Sequence, residues 1–221
     1  MTEPLETIEI ETRPKPSHTV IWLHGLGADG NDFVPIVQQL KLPKLGIRFV
    51  FPHGPMRPVT INGGFVMRAW YDIVAQDLAQ REDEAGMRHS QAAIDALIAK
   101  EAARGMPASR VVLAGFSQGG VISLQTGLRY PKALAGVMSL SAYLPLASTV
   151  AKERSAANQA TPIFIGHGMA DNVVPLKSGT AARDQLIKLG YDVDWHQYPM
   201  AHSVCPQELD DIGAWLTRVL L

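Results

Sequence analysis

The stretch Gly115-Phe116-Ser117-Gln118-Gly119 decides how the rest of this chain is read. Before it runs Arg110-Val111-Val112-Leu113-Ala114, a short apolar segment rich in β-branched residues, which reads as a buried strand. After it comes Val121-Ile122-Ser123-Leu124-Gln125-Thr126-Gly127-Leu128, apolar at helical spacing. A G-x-S-x-G between a strand and a helix is the setting of a nucleophile elbow. The flanking glycines allow a sharp turn without Cβ clashes, and Ser117 is left exposed at its tip. The backbone N–H of Gln118 then opens a helix, where it can donate to a developing negative charge.

A serine becomes a nucleophile only when a base takes its proton, and the base needs an orienting acid. On an elbow of this kind the partners follow in the order Ser, then Asp or Glu, then His, on loops after strands. His167 ends the apolar run Thr161-Pro162-Ile163-Phe164-Ile165-Gly166, and Asp171 lies in the loop just beyond it. His202 follows the next strand, Asp192 to Tyr198, and precedes the last helix. Asp171 is therefore the expected acid and His202 the expected base. An aspartate before Asn172 is by itself often only an Asx turn, and a lone loop histidine often only packs. The order and loop positions of the three together favour catalysis. His167 precedes the acid and is expected to pack beside it, and His196 is expected to be an ordinary strand residue.

A second oxyanion donor should come from the loop after an early strand. Val20-Ile21-Trp22-Leu23 is such a strand, followed by His24-Gly25-Leu26-Gly27-Ala28-Asp29-Gly30, and the backbone N–H of Leu26 is the expected donor. Gly25, Gly27 and Gly30 match the bare spacing of a dinucleotide loop. The acidic residue such a site needs about twenty residues on is absent, since the sequence there reads Arg48-Phe49-Val50-Phe51.

Four segments together closely resemble the small carboxylesterases and acyl-protein thioesterases of the α/β-hydrolase superfamily. They are His24-Gly25-Leu26-Gly27, Gly115 to Gly120, the loop at Asp171, and Pro199-Met200-Ala201-His202. The run from Arg57 to Gly64 and Ala69-Trp70-Tyr71-Asp72-Ile73 looks like the small bacterial carboxylesterase branch. The resemblance extends from about Val20 to the C-terminus. It implies hydrolysis of carboxylic esters, with thioesters and lysophospholipids as further substrates. Ser117, Asp171 and His202 would form the triad, with Leu26 and Gln118 as backbone oxyanion donors. Ala201 departs from the pattern, since relatives commonly carry glycine before the histidine.

The rest of the sequence agrees. Strands near 6–12, 18–23, 47–51, 110–115, 134–140, 162–166 and 192–198 alternate with helices near 31–40, 83–104, 118–129, 177–189 and 206–219. This predicts an α/β fold, a mostly parallel central sheet with helices on both faces. The resemblance implies that it forms one α/β-hydrolase domain over residues 1–221, without a large lid. Residues 52–79 fit no regular element but are too apolar for disorder, so they are expected to pack beside the active site. Trp70, Phe65 and Ile73 are the expected walls of an acyl pocket. A net charge of −1 with scattered Lys and Arg argues against nucleic acid as a partner. The single cysteine, Cys205, is expected to be a small buried hydrophobe. Neither a signal peptide nor a membrane span is read, which predicts a soluble, cytoplasmic protein. It is expected to act on a small-molecule ester or acyl substrate without cofactor or metal, as a monomer or homodimer. The rival readings are a peptidase or true lipase using the same triad, and a ligand-binding relative without catalysis. A binder would usually lack one triad member, and a lipase would need a larger lid.

Overall fold

The computed structural model describes residues 4–42, 45–75 and 82–221. The strands are β1 (Thr7–Glu11), β2 (His18–Leu23), β3 (Ile47–Pro52), β4 (Met56–Val59), β5 (Phe65–Arg68), β6 (Val111–Phe116), β7 (Gly136–Leu140), β8 (Ile163–Gly168) and β9 (Val193–Tyr198). The α-helices are α1 (Glu84–Ala103), α2 (Gln118–Arg129), α3 (Ala147–Glu153), α4 (Leu176–Lys188) and α5 (Pro206–Leu220). Seven strands form one sheet in the order β1-β3-β2-β6-β7-β8-β9. Only the β1–β3 pairing is antiparallel; the other five are parallel. The mostly parallel sheet expected from the alternation of elements is therefore present.

Side chains alternate across this sheet with period two, and each face is covered. Ile21, Leu23, Leu113, Val137 and Ile165 pack on one face against Ile94, Leu97 and Ile98 of α1 and Val121, Ile122 and Leu128 of α2. Val20, Trp22, Val112, Met138 and Phe164 point to the other face, where α5 contributes Leu209, Ile212, Trp215, Leu216 and Leu220. α1 begins where Asp83 caps it, accepting from the Gly86 N–H at 2.9 Å. It ends at Gly105, whose φ of 87° is open to glycine at little cost. Among the described residues no helix is long and apolar enough to cross a membrane.

Three local expectations change. The helix expected over 31–40 is only a short 3₁₀ turn, Val34–Gln38, with Pro35 at its start. The Gly30 N–H, bonded to His53 Nδ1 at 3.1 Å, anchors the chain before it to the loop after β3. Residues 52–75 are not irregular throughout. β4 and β5 pair as an antiparallel hairpin across Gly63 (φ 66°) and Gly64 (φ 79°), so Asn62-Gly63-Gly64 was a turn signal. The final part of that expected segment, 76–79, lies outside the described residues. α3 is an additional short helix that buries only Val150, too little to leave a periodic trace.

α5 also carries a buried anomaly. Glu208 is fully buried in its first turn, and neither carboxylate oxygen has a hydrogen-bond partner among the described residues. Burial, reinforced by Asp211, pushes its carboxyl up to about 8 from the ordinary 4.5. The folded protein thus keeps a proton that the unfolded chain gives up above pH 4.5, so this group erodes stability as pH rises from 4.5 towards 8. Glu208→Gln is expected to be more stable than the parent at pH 8, by roughly 2–4 kcal/mol, with the gain vanishing near pH 4. Urea unfolding across that range checks this; a gain independent of pH would contradict it.

Candidate active site

Ser117 sits between β6 and α2 with φ 55° and ψ −121°, a backbone strained for any residue but glycine. The strain is imposed by how closely α2 starts against the sheet. A Cβ on Gly115 would collide with the backbone of Gly119, and one on Gly119 would strike the carbonyls of Leu23 and His24 at the end of β2. The Ser117 N–H donates to Leu140 O at 2.8 Å, fixing the elbow to β7 as well. Gln118 opens α2, so its N–H has no partner within the helix.

The side chains that the sequence spreads over 85 positions meet here. His202 Nε2 lies 3.0 Å from Ser117 Oγ, and His202 Nδ1 lies 2.7 Å from Asp171 Oδ2. Asp171 is buried just past β8, and its other oxygen accepts from the Val173 and Val174 N–H groups at 2.9 and 2.8 Å. An Asx-type turn and a bond to histidine thus coexist in one side chain. The His202 ring packs on Phe116 with centroids 4.8 Å apart. Such a chain lets the imidazole take the serine proton while the carboxylate holds the tautomer and the developing charge. His167 is fully buried beside Asp171, its Nε2 donating to Val174 O at 2.8 Å. Burial holds its imidazole below the usual histidine range. His196 lies apart on β9, bonded to Asp194 at 2.8 Å. Cys205 is half-buried before α5, outside the site.

A groove of about 710 Å³ opens over Ser117 and His202, with Gly25, Leu26 and Gln118 on its wall. Its apolar lining includes Ile61, Ile73, Val121, Val174 and Pro175. Tyr71 and Tyr143 also line it, their hydroxyls 3.0 Å apart and both nearly buried. Val121 is four residues after Ser117, one turn along α2, which was a readable clue. Tyr71 lies in the segment 52–79 expected beside the site, whereas the loop residues Val174 and Pro175 and Tyr143 gave no comparable signal.

Of the three expected pocket walls, only Ile73 is in place. Phe65 is 69% exposed on the β4–β5 hairpin and does not line the groove. Trp70 is fully buried behind the wall. Its Nε1 donates to His24 O at 2.9 Å, and its N–H donates to the Gln118 side-chain oxygen at 3.0 Å. The same Gln118 amide donates to Tyr71 O at 2.9 Å. Satisfying these polar atoms draws the indole inward, away from the groove.

A seven-stranded, mostly parallel sheet with a strained serine elbow, a histidine and a buried aspartate at its strand ends defines an α/β-hydrolase. Residues 5–220 match the family model described as phospholipase/carboxylesterase. The chain belongs to that family and is a hydrolase acting on ester or thioester bonds. It is 44% identical over 212 residues to acyl-protein thioesterase 1 of Neurospora crassa, covering 91% of this chain and 86% of the relative. The Mycosarcoma maydis acyl-protein thioesterase 1 is 40% identical, covering 98% of both chains. The crystal structure of SOBER1 from Arabidopsis thaliana superposes with a TM-score of 0.88 at 34% identity, covering 92% of this chain and 99% of that one. Acyl-protein thioesterase 2 of Zea mays gives 0.83 at 31% identity, covering 97% and 99%.

The position of Trp70 changes what its removal should do. Trp70→Ala is expected to cost about 3–5 kcal/mol of stability through the cavity it leaves. It should lower kcat/KM by similar factors for p-nitrophenyl acetate and octanoate, because neither acyl chain reaches the indole. A loss confined to the octanoate would return Trp70 to the substrate wall.

Proposed function

We propose that this protein hydrolyses carboxylic esters of short to medium acyl chains, and acyl thioesters, through an acyl-enzyme on Ser117. The observation that carries the reading is the unbroken chain Ser117–His202–Asp171, with contacts of 3.0 and 2.7 Å, opening onto an apolar groove. His202 Nε2 removes the hydroxyl proton as Oγ attacks the carbonyl carbon, and Asp171 holds the imidazole and offsets its charge. The tetrahedral oxygen receives the backbone N–H groups of Leu26 and Gln118. His202 then protonates the leaving alkoxide or thiolate. In the second half-reaction it activates water to release the acid.

The relatives named as acyl-protein thioesterases support thioesters as the second substrate class. A thiolate is a good leaving group and asks little of the acid, so the same constellation serves both bonds. Lysophospholipids are a further candidate class, with the family's phospholipase description in support. The tyrosine pair and Ile73 line the groove with Val121, which favours chains of modest length over long ones. We read the whole chain, 1–221, as one catalytic domain. It would be cytoplasmic, act on small-molecule esters without cofactor or metal, and work as a monomer or homodimer.

Ser117→Ala should lower ester turnover on the order of 10⁴-fold or more while leaving the unfolding midpoint nearly unchanged, since triad members act as a unit. His202→Ala should be comparably damaging, and His196→Ala mild. Turnover of Ser117→Ala within tenfold of the parent would exclude Ser117 as nucleophile.

Chain-length preference has its own check, because each buried methylene contributes about 0.8 kcal/mol, close to fourfold. kcat/KM on p-nitrophenyl esters should rise with acyl length until the groove is full and then fall. Ile73→Ala should flatten that rise. An unchanged profile would remove Ile73 from the acyl wall. The matching acyl thioester series, run beside it, gives the preference between the two bonds.

A further inference from the structure

His24, fully buried at the end of β2, is bonded at both ring nitrogens. The Gly54 N–H donates to Nε2 at 2.9 Å, so Nε2 must be the unprotonated nitrogen. Nδ1 therefore carries the hydrogen and donates to Gly25 O at 2.7 Å. The carbonyl it holds belongs to the same peptide unit as the Leu26 N–H. In a trans peptide the C=O and N–H lie in one plane and point in opposite directions. Fixing the Gly25 oxygen towards the imidazole thus turns the Leu26 hydrogen the other way. Leu26 lines the groove beside Ser117, and its N–H makes no hydrogen bond among the described residues. Gly25 approaches the elbow closely; a Cβ placed on it would stand 3.5 Å from Ser117 Cβ.

We infer that His24 is a positioning residue of the oxyanion hole, orienting the Leu26 N–H towards the oxygen that develops charge over Ser117. The inference rests on the reading of Ser117 and Leu26 given above. His24 itself touches no reacting atom; it acts through the Gly25–Leu26 peptide. The imidazole is in turn held from three sides. Trp70 packs on it with ring centroids 5.1 Å apart, and its indole N–H fixes the His24 carbonyl. Gly54 brings its backbone close because it has no side chain: a Cβ there would lie 3.2 Å from the ring. Only the neutral ring fits this arrangement, since a protonated Nε2 would face the Gly54 N–H. Burial keeps it neutral by holding its pKa below the usual histidine range; the bond to Gly25 and, less so, Asp29 work against this, while His53 and Arg68 assist.

The contribution is preorganisation. A glycine-rich loop left free would sample many orientations of the Gly25–Leu26 peptide, and the donor would have to be oriented at the moment of reaction. The 2.7 Å bond from the His24 ring removes that freedom beforehand, with help from a longer turn bond, 3.3 Å, from the Ala28 N–H to the same Gly25 oxygen and from the Gly27 N–H bonded to Arg68 O at 2.9 Å.

The experiment compares His24→Asn, His24→Gln and His24→Ala in the full chain. Asparagine can reproduce the donor to Gly25 O but not the acceptor for Gly54; glutamine can reproduce the acceptor but not the donor. On p-nitrophenyl butyrate, normalised to sites titrated with a fluorophosphonate, His24→Ala should lose roughly 10²-fold in kcat. KM should move by no more than about threefold, since the donor acts mainly in the transition state. Affinity for an alkyl trifluoromethyl ketone, whose adduct with Ser117 places an oxyanion in the same position, should fall by a similar factor. His24→Asn should recover most of the kcat and His24→Gln little of it. If His24→Ala does not fold, the ordering of Asn above Gln decides. Gln matching or exceeding Asn, or all folded variants turning over within threefold of the parent per titrated site, would overturn the inference while leaving the nucleophile intact. A parent protein that fails to label at Ser117 would instead remove the underlying reading, and the inference with it.

Discussion

Everything at this site depends on how closely α2 abuts the ends of β2 and β6. With hydrogens in place of side chains at Gly115 and Gly119, the helix starts directly against the sheet, and Ser117 must take φ 55° to make the turn. Strain of this kind costs on the order of 1–3 kcal/mol and persists only where its surroundings enforce it. Here they are the bond from the Ser117 N–H to β7, the fully buried face of α2 and the carbonyls of Leu23 and His24. The same close approach brings the Gln118 N–H, the Gly25–Leu26 peptide and the serine hydroxyl within one small volume.

Around that point the parallel sheet does the gathering. β2, β6 and β8 run in the same direction, so the loops after them all emerge at one end of the sheet. The loop after β9 joins them through its parallel pairing to β8. The loops that carry Leu26, Ser117, Asp171 and His202 are thus neighbours although they lie far apart in sequence. The apolar faces supply the rigidity. α1 and α2 cover one side and α5 the other, and the loops inherit their positions from strands that cannot move independently.

Polar satisfaction explains the second layer. The Gln118 side chain joins the elbow to the Trp70–Tyr71 backbone, Trp70 holds the His24 carbonyl, and His24 holds Gly25. Each of these groups is buried, and each would carry a desolvation penalty if left unbonded. Glu208 is the contrasting case, a buried carboxyl with no hydrogen-bond partner among the described residues, which burial pushes towards its protonated form. Its place in the first turn of α5, just after the histidine loop, makes it a liability for stability at alkaline pH.

Covalent order and local chemistry were enough to read the sheet and to single out Ser117, Asp171 and His202, which the fold brings into contact. Those residues announce themselves through short-range patterns: glycines flanking a serine, an apolar run before a loop, a required succession along the chain. The β4–β5 hairpin was written in Asn62-Gly63-Gly64 but hidden by short strands and Pro58, and Pro35 began only a 3₁₀ turn where a helix was expected. What sequence could not give is the direction in which an apolar or amphipathic side chain points. Phe65, Trp70 and Ile73 look alike as wall candidates, yet one faces outward, one is drawn inward by hydrogen bonds to His24 and Gln118, and one reaches the groove. The tautomer of His24 and the meeting of Tyr71 with Tyr143 are of the same kind. Each is set by neighbours distant along the chain, whose positions exist only once the sheet has closed around them.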